Sequence, residues 1–416
     1  MRALLTRLHR WAGLAIALFL MVAGLTGAVT SWDHELDEWL NSSLYLTDSS
    51  GPFRDPMALA AIVEAADPHA KVSYITLAFE PGHNASYFVV PRVDAATGQP
   101  YALGYNQVFV DPVTGQIKGR RDSGAVSLSR ESLMPFLRTV HYSLHIPAMW
   151  GTTRVGYWLM GGVALLWLLD SFVALALTFP RRLPAKARAA HRTPVTWWHR
   201  WQPAWTVRWR AGGYKLNFDL HRAGGLWLWL VIIVIAFTSF SLNLYREVFY
   251  PVLSLVSQTT PGPYETRPMA PLGTTIRPTL GFAEIVSRAT AEARRRGFKH
   301  TPAGIYYEAR FGFYNVSFFD PSDELGAAGM GLSNLYIDAH DGRVLSQNVP
   351  WHGTAADVFV QLQLPLHSGR ILGMPGRILM SLMGLGVTML SVTGIVIWAR
   401  KRKARLAMAA RKPPRA

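Results

Sequence analysis

The heptapeptide LHRWAGL at residues 8–14 returns two hundred residues later as LHRAGGL at residues 220–226. In both places a histidine and an arginine stand at the beginning of a long apolar stretch. A single repeated heptapeptide has little weight by itself. Its meaning therefore depends on whether the sequence around it repeats as well.

The composition indicates a membrane protein. Of the 416 residues 50% are hydrophobic, yet the net charge is +16. That charge is concentrated in short segments beside apolar runs, as the positive-inside rule requires, and we expect no nucleic-acid partner. The chain has no cysteine, which excludes disulfides, zinc ribbons, iron–sulfur clusters and covalently attached c-type haem. Any redox cofactor would be held noncovalently, by histidine or methionine.

Four stretches are long enough to span a bilayer, since a spanning helix needs about 20 mostly apolar residues. They lie at about 11–31, 155–179, 223–242 and 378–398. The first continues into TSWDHELDEWL without a small-x-small cleavage site, so we interpret it as a retained anchor and not as a signal peptide.

The loops predict the orientation. The N-terminus carries three arginines, the segment 181–222 carries ten Lys/Arg against the single acid Asp219, and the tail after residue 399 contains no acid. These three segments are expected in the cytoplasm. Residues of about 32–150 and 243–370 would then be periplasmic, and the chain would be a multi-pass protein of a bacterial inner membrane with both termini cytoplasmic.

The two large external segments follow one plan. Each has a helix with regular apolar spacing, at 55–66 and at 282–293, followed by short strand-like runs. Each closes with a hairpin signal in which a strand ends at an aspartate and turns through a glycine, in VFVDPVTGQIKG (108–119) and LYIDAHDGRVLS (335–346). Each segment is therefore predicted to be a small α+β domain.

The membrane segments repeat too. SLHIPAMWG at 143–151 and PLHSGRILG at 365–373 both fit LHxxxxxG, and a further glycine follows each histidine by seventeen residues, at Gly162 and Gly384. The predicted architecture consists of two parallel repeats related by an axis along the membrane normal. Each repeat contains a helix, an external domain and a second helix.

This plan divides the chain into eight segments. They are an N-terminus with helix one (1–31), external domain one (32–131), an outer His segment with helix two (132–180), a basic Trp-rich loop (181–219), helix three (220–244), external domain two (245–363), an outer His segment with helix four (364–399) and a basic tail (400–416).

The two hairpins, LHRWAGL, DLHRAGGLW, PLHSG and the closing SVTGIVIWARKRK together resemble the PepSY-associated transmembrane family over nearly the whole chain. The resemblance implies that the fold is an α-helical integral membrane protein with two PepSY-like α+β periplasmic domains. Within the family the chain is similar to the haem-containing inner-membrane ferric-siderophore reductases. Some relatives carry a fused flavin- or NADPH-binding module, which we expect to be absent here because only a short basic tail follows the last span.

The duplication singles out four histidines: His9, His145, His221 and His367. A lone histidine at a helix end can be a headgroup-level anchor. Four histidines at matched positions favour haem ligation, because neutral imidazole is a strong iron ligand and a helix bundle provides a site shielded from water. His9 with His221 would form an inner site, and His145 with His367 an outer site, for two b-type haems.

Two glycines follow the inner histidines by one helical turn. Gly13 and Gly225 would leave room for a porphyrin, although close helix packing explains them equally well. The outer site raises a problem of distance, because an unbroken helix from His145 to residue 179 would be about 51 Å long. Pro and Gly residues after both outer histidines predict that these segments bend back over the bundle.

Further residues are candidates with open alternatives. His34 or His141 could replace an outer ligand, face the substrate or be plain surface residues. Arg10 and Arg222 could pair with haem propionates or merely follow the positive-inside rule. Arg154, Arg370 and Arg377 lie on the outer side, where a propionate or an anionic substrate is a plausible partner. Asp170, an acid inside helix two, is a functional candidate without an assigned role.

The expected function is electron transfer across the bilayer. The chain shows no GxGxxG and no P-loop, so electrons would come from quinol or from a cytoplasmic reductase docking on the basic loop. The resemblance implies a periplasmic ferric siderophore as acceptor, with no catalytic side chain beyond the haem-binding residues. Two alternatives stay open: a quinol-linked cytochrome b for another acceptor, and a non-enzymatic membrane sensor or regulator.

Overall fold

The computed structural model describes residues 1–181, 196–323 and 329–410. Parts of the basic loop, with His191, and the end of the basic tail lie outside these residues. Four helices are long and apolar enough to cross a membrane, which confirms the predicted spans. They are α1 (Arg2–Thr30), α6 (Val155–Thr178), α8 (Gly213–Asn243) and α14 (Gly373–Ala410).

The first and third spans begin earlier than expected. Helix α1 starts at Arg2 and α8 at Gly213, so His9 and His221 lie inside their helices and not before them. The segments ahead of the two histidines, RALLTRL at 2–8 and GYKLNFDL at 213–220, contain no proline and extend each helix beyond its apolar run.

The other helices and the strands complete the two halves. Those of the first half are α2 (Asp33–Leu40), α3 (Ser42–Tyr45), α4 (Pro56–Ala65), β1 (Ala70–Thr76), β2 (Ala85–Pro91), β3 (Gln107–Val110), β4 (Ile117–Arg121) and α5 (Leu133–Ser143). Helix α7 (Trp197–Trp201) precedes α8, and the second half contains α9 (Tyr250–Val256), α10 (Pro263–Thr266), α11 (Phe282–Arg295), β5 (Pro302–Glu308), β6 (Phe313–Phe318), β7 (Ser333–Asp338), β8 (Val344–Asn348), α12 (Ala355–Gln361) and α13 (Gln363–Ser368).

The strands form one antiparallel sheet in the order β4-β3-β2-β1-β5-β6-β7-β8. The α+β character of the external segments is thus confirmed, but the two units share a sheet, which the sequence did not predict. They join where β1 pairs with β5, with Tyr74 opposite Tyr306. An eight-stranded sheet leaves only the two outermost strands with unpaired edges, so joining the units removes two exposed edges.

One face of the sheet is covered by α4 and α11. Strand residues alternate between this face and the other, and those facing the helices form a continuous apolar core that includes Leu59 of α4 and Ile285 of α11. Burying a side chain of this size contributes about 1.5–3 kcal/mol relative to leaving it exposed. Asp55 caps α4 by accepting a hydrogen bond from the backbone N–H of Ala58, with Pro56 in the first turn.

The two predicted hairpins each close on their aspartate. Asp111 accepts hydrogen bonds from the hydroxyls of Thr47 and Ser49 and from the backbone N–H groups of Val113 and Thr114. In the second half Asp338 accepts from the backbone of His340 and pairs with Arg267. Gly115 and Gly342 follow with φ of +79° and +77°, a conformation that favours glycine.

In the membrane bundle, the entering helix of each half packs along the exiting helix of the other, α1 with α14 and α8 with α6. Helices α1 and α14 cross at two glycines. A Cβ added to Gly24 would lie 2.6 Å from the carbonyl oxygen of Gly384, and one added to Gly384 would lie 2.3 Å from that of Gly24. Small residues permit this approach of two backbones.

The chain reverses before the second span. Helix α5 ends at Ser143, and Leu144 and His145 both adopt left-handed backbone angles, with φ of 54° and 55°. Helix α6 then starts with Gly156 against the carbonyl of Ser143. The segment therefore bends back as expected, so that α5 lies along α1, and α13 lies along α8 in the second half.

The glycine crossing gives a matched test. Gly384→Ala should lower the melting temperature of the detergent-solubilised protein, because the added methyl group would overlap the Gly24 backbone. Gly162, on the other exiting helix α6, has no atom within 4 Å of an added Cβ, so Gly162→Ala should leave the melting temperature unchanged or raise it slightly through better helix propensity. Equal melting temperatures for the two variants would contradict this role of the crossing.

The hydrogen-bonded carboxylate of Asp111 predicts that the stability of the folded protein depends on pH. Burial raises the pKa of Asp111, but the hydrogen bonds from Ser49 and its other donors outweigh burial and hold the pKa below its usual range. The ionised carboxylate thus stabilises the folded state at pH values above the unfolded-state pKa of about 3.9. This stabilisation is lost as the pH falls through the lower folded-state pKa. Asp111→Ala should destabilise the sheet by roughly 1–3 kcal/mol at pH 7.

Thermal unfolding followed by intrinsic fluorescence measures this loss. Asp48→Ala is the control, because Asp48 is exposed beside the same segment. The variant and the native protein should converge in stability at strongly acid pH, where the carboxylate is protonated in both states. A difference that persists unchanged to low pH would show that the charge on Asp111 is not responsible.

Candidate functional site

Two pairs of imidazole rings lie between the helices of the bundle. The ring centres of His9 and His221 are 6.1 Å apart, and those of His141 and His367 are 6.0 Å apart. We call the first the basic-side pair, because the basic segments flank it, and the second the sheet-side pair. The structure thus brings His9 and His221 together as expected from the repeat, whereas His367 meets His141 and not His145.

Each ring of the sheet-side pair lies against the entering helix of its own half. His141 contacts the hydroxyl of Thr26 on α1, and His367 contacts that of Thr238 on α8. Thr26 and Thr238 are themselves equivalent, since each follows its LHR histidine by seventeen residues. In space, therefore, His141 is the counterpart of His367.

The expected outer pairing of His145 with His367 does not occur. His145 follows the end of α5 in a left-handed conformation, so the chain has already turned away from the bundle. Its ring lies 5.5 Å from that of Phe136, and its Nε2 atom is buried without a hydrogen-bond partner among the described residues. The LHxxxxxG match misaligned the two halves by one helical turn.

All four paired rings are held at Nδ1. The neutral acceptors are the carbonyl of Leu390 for His221, at 3.0 Å, that of Ala23 for His141, at 3.0 Å, and the hydroxyl of Thr238 for His367, at 3.1 Å. His9 instead contacts the carboxylate of Asp170, at 2.9 Å. A hydrogen bond at Nδ1 fixes the ring's orientation and tautomer and leaves Nε2 for a metal.

The sheet-side rings are in the protonation state that a metal needs. Burial, reinforced by the neighbouring His141, lowers the pKa of His367 to about 4. Burial likewise lowers the pKa of His141. Both rings are therefore neutral near pH 7, and neutral imidazole is the form that binds iron.

The spacing of both pairs fits a shared iron atom. A metal–imidazole bond is about 2 Å long, so two ligands on opposite sides of one metal place their nitrogens about 4 Å apart. Adding about 1 Å from each nitrogen to its ring centre gives about 6 Å. The observed 6.1 and 6.0 Å match this separation at both sites.

The basic-side pair borders a cavity of about 350 Å³, a size typical of ligand sites. Gly13 and Gly225 line it beside apolar side chains such as Leu20 and Trp229. A Cβ on Gly13 would have no atom within 4 Å, and one on Gly225 would have only a Leu390 methyl group at 3.9 Å. These glycines thus face open space, which favours room for a flat ligand over close helix packing.

Cations border the same cavity. Arg10 and Arg222 occupy equivalent positions of the two repeats, and the Nε atom of each is buried without a partner among the described residues. A terminal nitrogen of Arg222 already pairs with Asp219, so Nε is the donor that Arg222 has to offer. Lys401 and Arg405 also line the cavity. An apolar slot with two imidazoles and a cationic border suits a flat, mostly apolar dianion, which is the chemistry of haem b with its two propionates.

The arginines of the sheet side are bound within the protein. Arg154 donates to both carboxylate oxygens of Glu247, and Arg377 donates to Glu35 and to the carbonyl of Ser31. These ion pairs explain the two cations without a propionate or a substrate. Arg370 packs near Gly329 beside the sheet-side pair's helix α13.

Two other acidic or imidazole candidates are now located. The exposed side chain of His34 lies 3.8 Å from Glu38, which also contacts His83. Asp170, which had no assigned role, proves to be the partner of His9. Within the described ranges no group of three or more His, Asp or Glu side chains is placed to hold a bare metal ion.

A comparison with curated proteins returned no match to this chain. A family comparison did: the sequence matches the profile of the PepSY-associated TM region over residues 6–401, which is nearly the whole length. The match spans all four helices, both halves of the sheet and both ring pairs. The chain therefore belongs to the PepSY-associated transmembrane family.

Proposed function

We propose that the protein is an inner-membrane b-type haem reductase, which passes electrons across the bilayer to a periplasmic ferric siderophore and so releases Fe(II). The observation that carries the proposal is the occurrence of two imidazole pairs, each with the spacing of a bis-histidine iron site, at opposite ends of one bundle. The basic segments would lie in the cytoplasm and the sheet in the periplasm, by the positive-inside rule.

The depth of the two sites supports transfer across the membrane. His9 and Thr26, which touch the two different sites, are seventeen residues apart on α1, or about 26 Å along the helix. The hydrocarbon core is about 30 Å thick, so the sites lie near its two faces. This separation of about 26 Å is half of the roughly 51 Å expected for an unbroken helix from His145 to residue 179.

The side chains of the site would bind and orient the cofactor. His9 with His221, and His141 with His367, would supply the iron-binding nitrogens, while Arg10 and Arg222 would bind carboxylates at the cytoplasmic end. Gly13 and Gly225 leave the space that a ring system requires. When bound, haem supplies the one-electron chemistry, and the protein sets its position and potential.

Chemistry on the acceptor side is consistent with iron release. Siderophores bind Fe(III) through hard oxygen donors, and reduction to Fe(II) weakens that coordination. The sheet lies over the end of the bundle that holds the sheet-side pair and could offer a surface to such a chelate. The donor would be quinol or a cytoplasmic reductase, reaching the cavity bordered by Lys401 and Arg405.

Haem content and ligand identity can be tested together. The purified protein, reduced with dithionite, should show b-type absorption bands and two haems per chain. Alanine substitution of His9, His221, His141 or His367 should each remove one haem, because each removes an iron-binding nitrogen.

His145→Ala is the matched control, since His145 lies one turn from His141 but outside the pair; it should retain both haems. A colourless native protein would refute the reductase and favour a cofactor-free sensor. Loss of haem in His145→Ala, with full content in His141→Ala, would instead support the pairing first expected from the sequence.

The acceptor is tested by stopped-flow reoxidation of the reduced protein. Ferric siderophores should reoxidise it faster than buffer does, and a ferrous-iron chelator in the mixture should trap the product. His367→Ala should lose this fast phase while its basic-side haem stays reducible. If no ferric chelate exceeds the rate in buffer, the protein is a transmembrane cytochrome for another acceptor.

A further inference from the structure

The four paired imidazoles are not equivalent. Three of them contact carbonyl or hydroxyl oxygens, but Nδ1 of His9 lies 2.9 Å from Oδ2 of Asp170. Asp170 is on α6 and is only 7% exposed. The asymmetry is confined to the basic-side pair, where one ring has a carboxylate partner and the other does not.

The repeat shows that the carboxylate is not required for ring placement. His221 is the counterpart of His9, and α14 corresponds to α6. There His221 is oriented by the carbonyl of Leu390 and the hydroxyl of Thr393. Thr393 is the position that matches Asp170, in the same register in which Arg154 and Arg377 donate to the equivalent carbonyls of Asn243 and Ser31. Neutral acceptors thus suffice to hold such a ring, so the carboxylate at His9 adds something other than position.

The direct side-chain contact of Asp170 is with His9. Within the part of the chain that the structure describes, His9 is its sole hydrogen-bonding and ion-pairing partner. A buried acid in a spanning helix is costly and is a functional candidate by default. Since no Lys or Arg side chain pairs with this carboxylate among those residues, its effect is directed into the imidazole.

A carboxylate acceptor changes the electronic character of an imidazole ligand. It accepts a stronger hydrogen bond than a hydroxyl or a carbonyl does, and so it raises the basicity of the ring's other nitrogen. A more basic axial ligand favours the higher-charged Fe(III) over Fe(II). Its effect at a haem is therefore to lower the reduction potential.

We propose that Asp170, acting through His9, makes the basic-side site the lower-potential site of the two. This inference rests on the proposed function. One electron would then move favourably from the basic side to the sheet side, and the direction of transfer would be built into a single contact that the second repeat lacks.

The experiment is a spectroelectrochemical titration of the haem-loaded, full-length protein. Asp170→Asn keeps an acceptor oxygen and removes the charge. It should raise the midpoint potential of the basic-side haem by about 59 mV for each tenfold loss of preference for Fe(III), and we expect about one such step. The sheet-side potential should not change. His9→Ala, which should remove the basic-side haem, identifies which potential is which.

Thr393→Val is the matched control. It removes the hydroxyl at His221 but leaves the carbonyl of Leu390, so its shift should be smaller than that of Asp170→Asn. Electron paramagnetic resonance of the oxidised protein offers a second readout, in which only the basic-side low-spin signal should change. Selective loss of the basic-side haem in Asp170→Asn, with Thr393→Val fully loaded, would overturn the inference, because the carboxylate would then be needed to hold the cofactor and not to set its potential.

Unchanged potentials in Asp170→Asn, or equal shifts at both haems, would overturn the inference while leaving the proposed function intact. A native protein without haem would overturn both. A basic-side potential that is already higher than the sheet-side potential in the native protein would overturn the assigned direction.

Discussion

Each half of this protein is completed by the other half. The basic-side pair joins His9 of α1 to His221 of α8, and the sheet-side pair likewise joins rings from the two repeats. A separation of about 6 Å between such rings is possible only because each entering helix packs on the exiting helix of the opposite half. The close crossing of Gly24 and Gly384 therefore supports the geometry of both sites, although it touches neither.

Much of the fold could be predicted from sequence because its signals are local or repeated. Four apolar runs of sufficient length have few alternatives to spanning helices, and the hairpins ending at Asp111 and Asp338 have turn chemistry that is readable residue by residue. The equivalence of His9 and His221 was visible because the heptapeptide repeats without insertion. The LHR histidines lie deeper in their helices than predicted, since apolarity marks the bilayer and not the end of a helix.

The errors arose where tertiary contacts decide. The LHxxxxxG motif aligns His145 with His367, and this alignment is wrong by one helical turn. Helix α5 ends before the left-handed residues Leu144 and His145, and the contact of His141 with Thr26 identifies His141 as the counterpart of His367. Asp170 had no assigned role because the motif alignment matched it to the apolar Val392 and because its contact with His9 crosses 161 residues of sequence. The shared sheet was missed for a similar reason, because the pairing of β1 with β5 leaves no mark in either strand alone.

That shared sheet has a mechanical consequence. Transporters built from repeats work largely by rocking one half against the other around a central site. Here such a motion would have to shear the ladder between β1 and β5, where Tyr74 faces Tyr306, and also part the backbones that meet in the bundle. The two halves are held together both in the sheet and in the bundle, so this architecture suits electron transfer through a rigid protein better than transport of a solute by alternating access.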